Sequence, residues 1–133
     1  MARSEGRPLT NMQLQKHVFL GQGYGLALLD LPLYYQNTHA WQWGPVVPKL
    51  YKALQQYGSG QVTQEIGSED ELDTTSDEYR VLSGVWNAYK MYSGAQLSAL
   101  THRDGSPWSK TWSQSKFGVI PLEDIKAYYS GLL

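Results

Sequence analysis

His102, Asp104 and Ser106 are the residue types of a hydrolytic triad, and all three fall within five residues of chain. Triad chemistry needs the base to reach the nucleophile while an acid holds the base's far side, so its members converge from separate elements. One short loop does not give that geometry, and no G-x-S-x-G elbow is present. Ser106 has a simpler role: Ser followed by Pro107 and Trp108 reads as a helix N-cap with proline at the first helical position. A helix start there, with Arg103 nearby, leaves the alternative of an anion or a partner's carboxylate held at Ser106. No catalytic residue is expected.

The three histidines stand at 17, 39 and 102. No two are four apart and none belongs to H-E-x-x-H, so no metal ligands are expected. His17 lies near the apolar face of a helical pattern. It reads as a core histidine with one hydrogen-bond partner, the alternative being a pH-sensitive contact. Gly21-Gln22-Gly23-Tyr24-Gly25 lacks the G-x-G-x-x-G spacing and follows a helix, so it is not a phosphate loop and no cofactor is expected. Gly21 and Gly25, four apart, predict instead the close approach of another helix.

Arg103, Lys110, Lys116 and Lys126 are interleaved with Trp108, Trp112 and Phe117, the mixture of a base-stacking platform. The acidic run Glu69, Asp70, Glu71, Asp73, Asp77 and Glu78 offsets it. The one turn short enough for a helix-turn-helix, Tyr92-Ser93-Gly94, leads into the uncharged Ala95–Leu100. No nucleic-acid partner is expected.

The elements that would position these residues follow from periodicity and caps. Residues 1–9 read as a tail. Thr10 or Asn11 caps a first helix reaching about Leu29, with Leu14, Val18, Gly21, Gly25 and Leu28 on one face. Residues 33–44 read as a connection. Pro45 or Pro48 opens a second helix, with Leu50, Tyr51 and Leu54 inward and Gly58 at its end. Residues 62–66 alternate like a short strand, expected to pair with 117–120. Thr75-x-x-Glu78 and Ser93-x-x-Gln96 are capping boxes. The first starts a helix with the stripe Leu82, Val85, Trp86 and Tyr89. Pro121 begins a last helix, with Leu122, Ile125, Tyr128 and Tyr129 available to pack. The expectation is a mainly α, compact single domain of five to six helices with a short β element, helices one and three at its centre.

A chain of 133 residues has room for one proper core. Its formal charge is −1, giving no net field toward DNA or anionic lipid. The absence of cysteine removes disulfides and thiolate sites and fits a reducing cytoplasm. No apolar leader and no run of about 20 apolar residues suggest secretion or a membrane span. Five Trp and ten Tyr suit either a core or an interface. Trp41 and Trp86 are expected in the core.

Two stretches join a Gly/Pro turn to an aromatic residue at a helix mouth, 40–51 (AWQWGPVVPKLY) and 97–108 (LSALTHRDGSPW). With Leu14-Gln15-Lys16, Gly21-Gln22-Gly23 and Leu26-Ala27, they resemble the signature of the Panacea (SocA-like) antitoxin family, from about Met12 to Tyr129. Residues 10–133 are then a Panacea-like antitoxin domain. The resemblance implies a non-enzymatic antitoxin of a bacterial or phage toxin–antitoxin system that binds and neutralises a co-encoded toxin protein. The alternative is a proteolysis adaptor that delivers the toxin to an ATP-dependent protease. Some members carry an added DNA-binding domain, for which this chain is too short. His17 stands where the family tends to place an apolar residue.

Binding by occlusion concentrates affinity in a few aromatic and Arg anchors. The candidates are Tyr34, Tyr35, Trp43, Arg103, Trp108 and Trp112, on turns or near helix starts, each with local packing as its alternative. The family-pattern residues Trp41, Gly44, Pro45, Tyr51, His102, Ser106 and Pro107 are expected to define the fold.

Overall fold

The computed structural model describes residues 9–58, 60–62 and 75–133. Thr10 starts the first helix through a reciprocal capping box. Its hydroxyl accepts from the Gln13 amide at 3.2 Å, and Gln13 Oε1 accepts from the Thr10 amide at 3.0 Å. Helix α1 spans Asn11–Leu29 and ends where Asp30 takes φ 56°. Leu9, the last residue assigned to the tail, is buried, and its carbonyl accepts from Val62 N at 2.7 Å.

After α1 the chain enters a hairpin inside the segment expected to be a plain connection. Strands β1 (His39–Trp41) and β2 (Gly44–Val46) are antiparallel, in the register His39↔Val46, Ala40↔Pro45, Trp41↔Gly44. Pro48 then opens α2 (Pro48–Leu54), a single 3₁₀ turn (Gln55–Tyr57) follows, and Gly58 ends the element. Next come α3 (Asp77–Tyr89), α4 (Gly94–Thr101), α5 (Pro107–Gln114) and α6 (Leu122–Gly131). The described residues thus form six α-helices around one small sheet, a mainly α architecture.

Three local expectations shift. The cap of α3 is Ser76, not Thr75: Ser76 Oγ accepts from Tyr79 N at 3.1 Å, so the helix starts one residue later. Segment 117–120 pairs with β1 rather than with Val62. Ala40 N donates to Gly118 O, Phe117 N to Ala40 O and Ile120 N to Thr38 O, all at 2.8–2.9 Å. The remainder of the 62–66 strand, with Glu69, Asp70, Glu71 and Asp73, lies outside the described residues. Leu122 is exposed, because α6 turns Ile125 and Tyr129 inward instead.

The core joins Phe19, Leu20 and Leu26 of α1 to Ala40, Val85, Leu97, Trp108, Ile120, Ile125 and Tyr129. Helix α1 is covered on several sides rather than on one stripe, and Leu28, expected inward, is 56% exposed. The centre is α1 with α3 and α6, not α1 and α3 alone. The glycines show why. A Cβ on Gly21 would come within 2.9 Å of Leu82 of α3, as expected of a close helix contact. On Gly25 it would meet Leu33 of the following loop at 2.7 Å, so no helix crosses there. On Gly23 it would sit 2.4–2.7 Å from the ring of Tyr129, so α6 is the helix that needs a glycine.

Gly23→Ala therefore forces either the Tyr129 ring or α6 to move. The expected loss is ~1–3 kcal/mol of stability, read as a lower midpoint in a thermal melt. An unchanged midpoint would mean the ring gives way freely and α6 is loosely packed.

Candidate functional site

Helix α1 carries a buried polar stripe, Asn11, Gln15 and Gln22, at spacings of four and seven that share a face. Each glutamine binds main chain that would otherwise lack partners. Gln15 Oε1 accepts from Val47 N at 3.0 Å, while its Nε2 donates to Asn11 Oδ1 at 3.2 Å. Gln22 Oε1 accepts from Leu33 N at 2.6 Å and Tyr34 N at 3.2 Å, and its Nε2 donates to Tyr34 O at 3.1 Å. Lys16, between them, is almost wholly buried and donates to the Pro45 carbonyl at 3.1 Å. Burial pushes its ammonium down to about 8, which leaves it mostly charged at neutral pH. Buried backbone groups need partners, and here one helix supplies them to both ends of segment 33–47.

The hairpin tip is held from two more directions. Gln42 and Trp43 form the two-residue loop between Trp41 and Gly44. Neither has positive φ; Gly44 takes φ 120° instead. A side chain at Gly44 would be strained there, and its Cβ would lie 3.0 Å from Lys16 Cε. From α4, Ser98 Oγ donates to the Trp43 carbonyl. From α5, Trp108 Nε1 donates to the Trp41 carbonyl at 2.6 Å. The carbonyls of 41, 43 and 45 are thus each met by a donor from a different helix. Meanwhile the Trp43 side chain is 63% exposed.

The other expected site residues divide between frame and surface. Trp41 is half-buried, edge-on to Tyr51 with ring centroids 5.0 Å apart. His102, Trp108, Trp112 and Phe117 form a ladder of rings with successive centroids 5.1, 5.4 and 5.3 Å apart. Trp108 belongs to the core, with 9% exposure, and Trp86 is buried in α3. Pro45 and Pro107 are buried too. Tyr34 shares a 2.5 Å hydrogen bond with Thr38 Oγ1, and burial raises its phenol to about 12. Tyr35, beside it, is 89% exposed. Arg103 is exposed after α4.

The 102–106 loop does not assemble a triad. Ser106 Oγ accepts from Ser109 N at 3.2 Å and caps α5. The single hydrogen of Ser98 Oγ goes to Trp43 O, so His102 Nδ1 donates to Ser98 Oγ at 3.3 Å. His39 Nδ1 donates to Phe117 O at 2.9 Å. Among the described residues, no group of three or more His, Asp or Glu is placed to hold a metal.

Gln15, Lys16, Gln22 and Ser98 were not singled out as functional in the sequence. Gln15 and Gln22, seven apart and so on one face of the helix, are the signal that could have found them. For Ser98 there is none, because its partner is main chain 55 residues away.

His17 is buried, with its ring 5.4 Å from that of Trp86, and its Nε2 has no hydrogen-bond partner. Burial pulls its pKa down to about 4. The folded protein therefore holds His17 neutral, while the unfolded chain protonates it below about 6.5. Stability due to this residue is intact above pH 6.5 and falls as pH drops toward 4, by about 3 kcal/mol. His17→Leu is expected to abolish that part of the acid sensitivity, measured as unfolding midpoints between pH 4 and 7. Parallel curves for the two proteins would refute it.

Geometrically this is a mainly α domain that uses buried side chains of α1, α4 and α5 to hold a β-hairpin rigid and leave its tip open. The family model described as "Antitoxin SocA-like, Panacea domain" matches residues 14–109, which span α1 to the start of α5. The chain belongs to this SocA-like Panacea family. It is also similar to Antitoxin SocA of Caulobacter vibrioides (strain NA1000 / CB15N), with 26% identity over 110 residues. That alignment covers 76% of this chain and 58% of the relative, so the chain spans little more than half the relative's length. No solved structure matches it. No described helix is long and apolar enough to cross a membrane.

Proposed function

We propose that this protein is an antitoxin that neutralises a co-encoded toxin protein by direct protein–protein binding in the cytoplasm. The family match across α1, the hairpin and α4 carries this reading. The geometry supports it in a specific way. In the 97–108 segment Ser106 caps α5, Ser98 and Trp108 hold the hairpin and His102 donates to Ser98, while Arg103 stays exposed, an arrangement that suits action by contact. A domain that works by contact gains from a preorganised surface, because less freedom is lost on binding.

The test is co-expression with the product of the neighbouring gene. That product alone should arrest growth. It should be harmless beside this chain, and the two should co-purify. Rescue with no complex and falling toxin levels would replace direct neutralisation by delivery to an ATP-dependent protease. A neighbouring product harmless on its own would remove the reading.

A further inference from the structure

The charges of this chain are sorted by region. From Leu9 to Leu29, from Leu31 to Gly58 and from Tyr79 to Arg103 there is no Asp or Glu. The described carboxylates stand elsewhere: Asp30, held by Lys126; Asp77 and Glu78 at the start of α3; Asp104; and Glu123 and Asp124 at the start of α6. Helix α2, which continues directly from the hairpin, carries the exposed Lys49 and Lys52. The exposed indole at the tip and the exposed lysines of α2 thus stand on adjoining elements, packed together where Tyr51 of α2 meets Trp41 of the hairpin edge-on, on a chain whose formal net charge is −1.

Resting on the antitoxin reading, we infer that Trp43 at the hairpin tip is the anchor of the toxin-binding surface, and that the toxin meets it with an apolar socket rimmed by carboxylates. Two independent features assign this occupant. The first is rigidity. An exposed Trp whose neighbouring carbonyls at 41, 43 and 45 are each fixed by a separate helix keeps little backbone freedom to lose on docking. Trp is also the residue type most enriched among dominant interface anchors. The second is charge. Lys49 and Lys52, with no carboxylate beside them in the hairpin or α2, complement an acidic rim and would steer its approach. Tyr35 is more exposed than Trp43, but its loop is tied to one helix, α1 through Gln22, and to segment 117–120 through Thr38, against three helices at the hairpin tip.

The test measures binding of the neighbouring gene's product to wild type, Trp43→Ala, K49E/K52E and, as a control on α6, Leu122→Ala. Because the Trp43 side chain lies largely in solvent, its removal should leave the melting midpoint unchanged. Trp43→Ala should weaken the complex about a hundredfold. The double charge reversal should weaken it about tenfold at low salt, with the difference shrinking at high salt. Leu122→Ala should bind like wild type. Tight binding by a folded Trp43→Ala variant would overturn the inference and leave the antitoxin reading standing. Failure of wild type to bind the neighbouring product would overturn both. A tip that instead engages a DNA duplex or anionic vesicles, with the loss seen in Trp43→Ala confined to those probes, would also overturn it.

Discussion

Gln22→Leu is expected to destabilise the domain by about 3–5 kcal/mol, although the two side chains have similar volume and the site is fully buried. The loss comes from the main chain, not from the side chain removed. Gln22 is the partner of Leu33 N, Tyr34 N and Tyr34 O. Leucine leaves those groups unpaired in a largely dry place, and each such group costs roughly 1–3 kcal/mol. Part of this is recovered where water reaches the 33–34 turn. Gln22→Glu should fall in between: its carboxylate can still accept from both amides but faces the Tyr34 carbonyl with no hydrogen to offer. Denaturant titration of the three proteins decides it. A loss below about 1 kcal/mol for leucine would show that water satisfies the turn, and that the amide is not what holds the connection to α1.

This also explains why the pattern Gln15-Lys16 followed by Gln22 resists a reading by hydrophobic periodicity. In a helix packed on one side, polar residues mark the solvent face. Here α1 is surrounded, and its polar residues replace backbone partners that a longer sheet would have provided. What was legible in the sequence is what local chemistry decides. A cap at Thr10 or Asn11, the Ser93 box, the Ser106 cap with Pro107 behind it, a proline, 45 or 48, at the start of α2 and the stripe of α3 are all set within one or two turns of chain. What was not legible depends on remote partners. Reading 117–120 as a strand fits the bridge at Val119, while Phe117 is in a turn with φ 64°, and only the presence of β1 decides where the segment pairs. The hairpin itself escaped because its strands are three residues long and one contains proline. Thr75 and Ser76 are both competent caps, and the choice between them rests on how α3 docks. Of the glycines in 21–25, the one facing an aromatic ring across a helix contact was the one not singled out. The candidate anchors divide likewise: exposure separates Trp43 and Tyr35 from Trp108, and no sequence spacing encodes that.

Trp108 and Trp43 should fail in opposite ways, and the contrast separates frame from surface. Trp108→Ala removes a core ring that stacks on Trp112 and meets His102 edge-on, and also the donor to Trp41 O. Truncating a buried Trp costs about 3–5 kcal/mol, a large share of the 5–15 kcal/mol that holds a domain folded. Little folded protein should accumulate at growth temperature. Trp108→Phe keeps most of the ring contact and loses the indole N–H, so it should cost only about 1–2 kcal/mol. If Trp108 acts through the fold alone, protection from the neighbouring product should track the amount of folded protein. It would be lost in the alanine variant and recovered when cells are grown cooler or when the phenylalanine variant is supplied. Trp43→Ala should show the reverse: normal accumulation, normal melting and lost protection at every temperature. Abundance in cells responds several-fold to a change of 1–2 kcal/mol, so both quantities have to be measured on the same samples. Should the phenylalanine variant fold fully and still fail to protect, Trp108 would have to touch the partner directly, and the division into a buried frame and an exposed tip would be wrong at its centre.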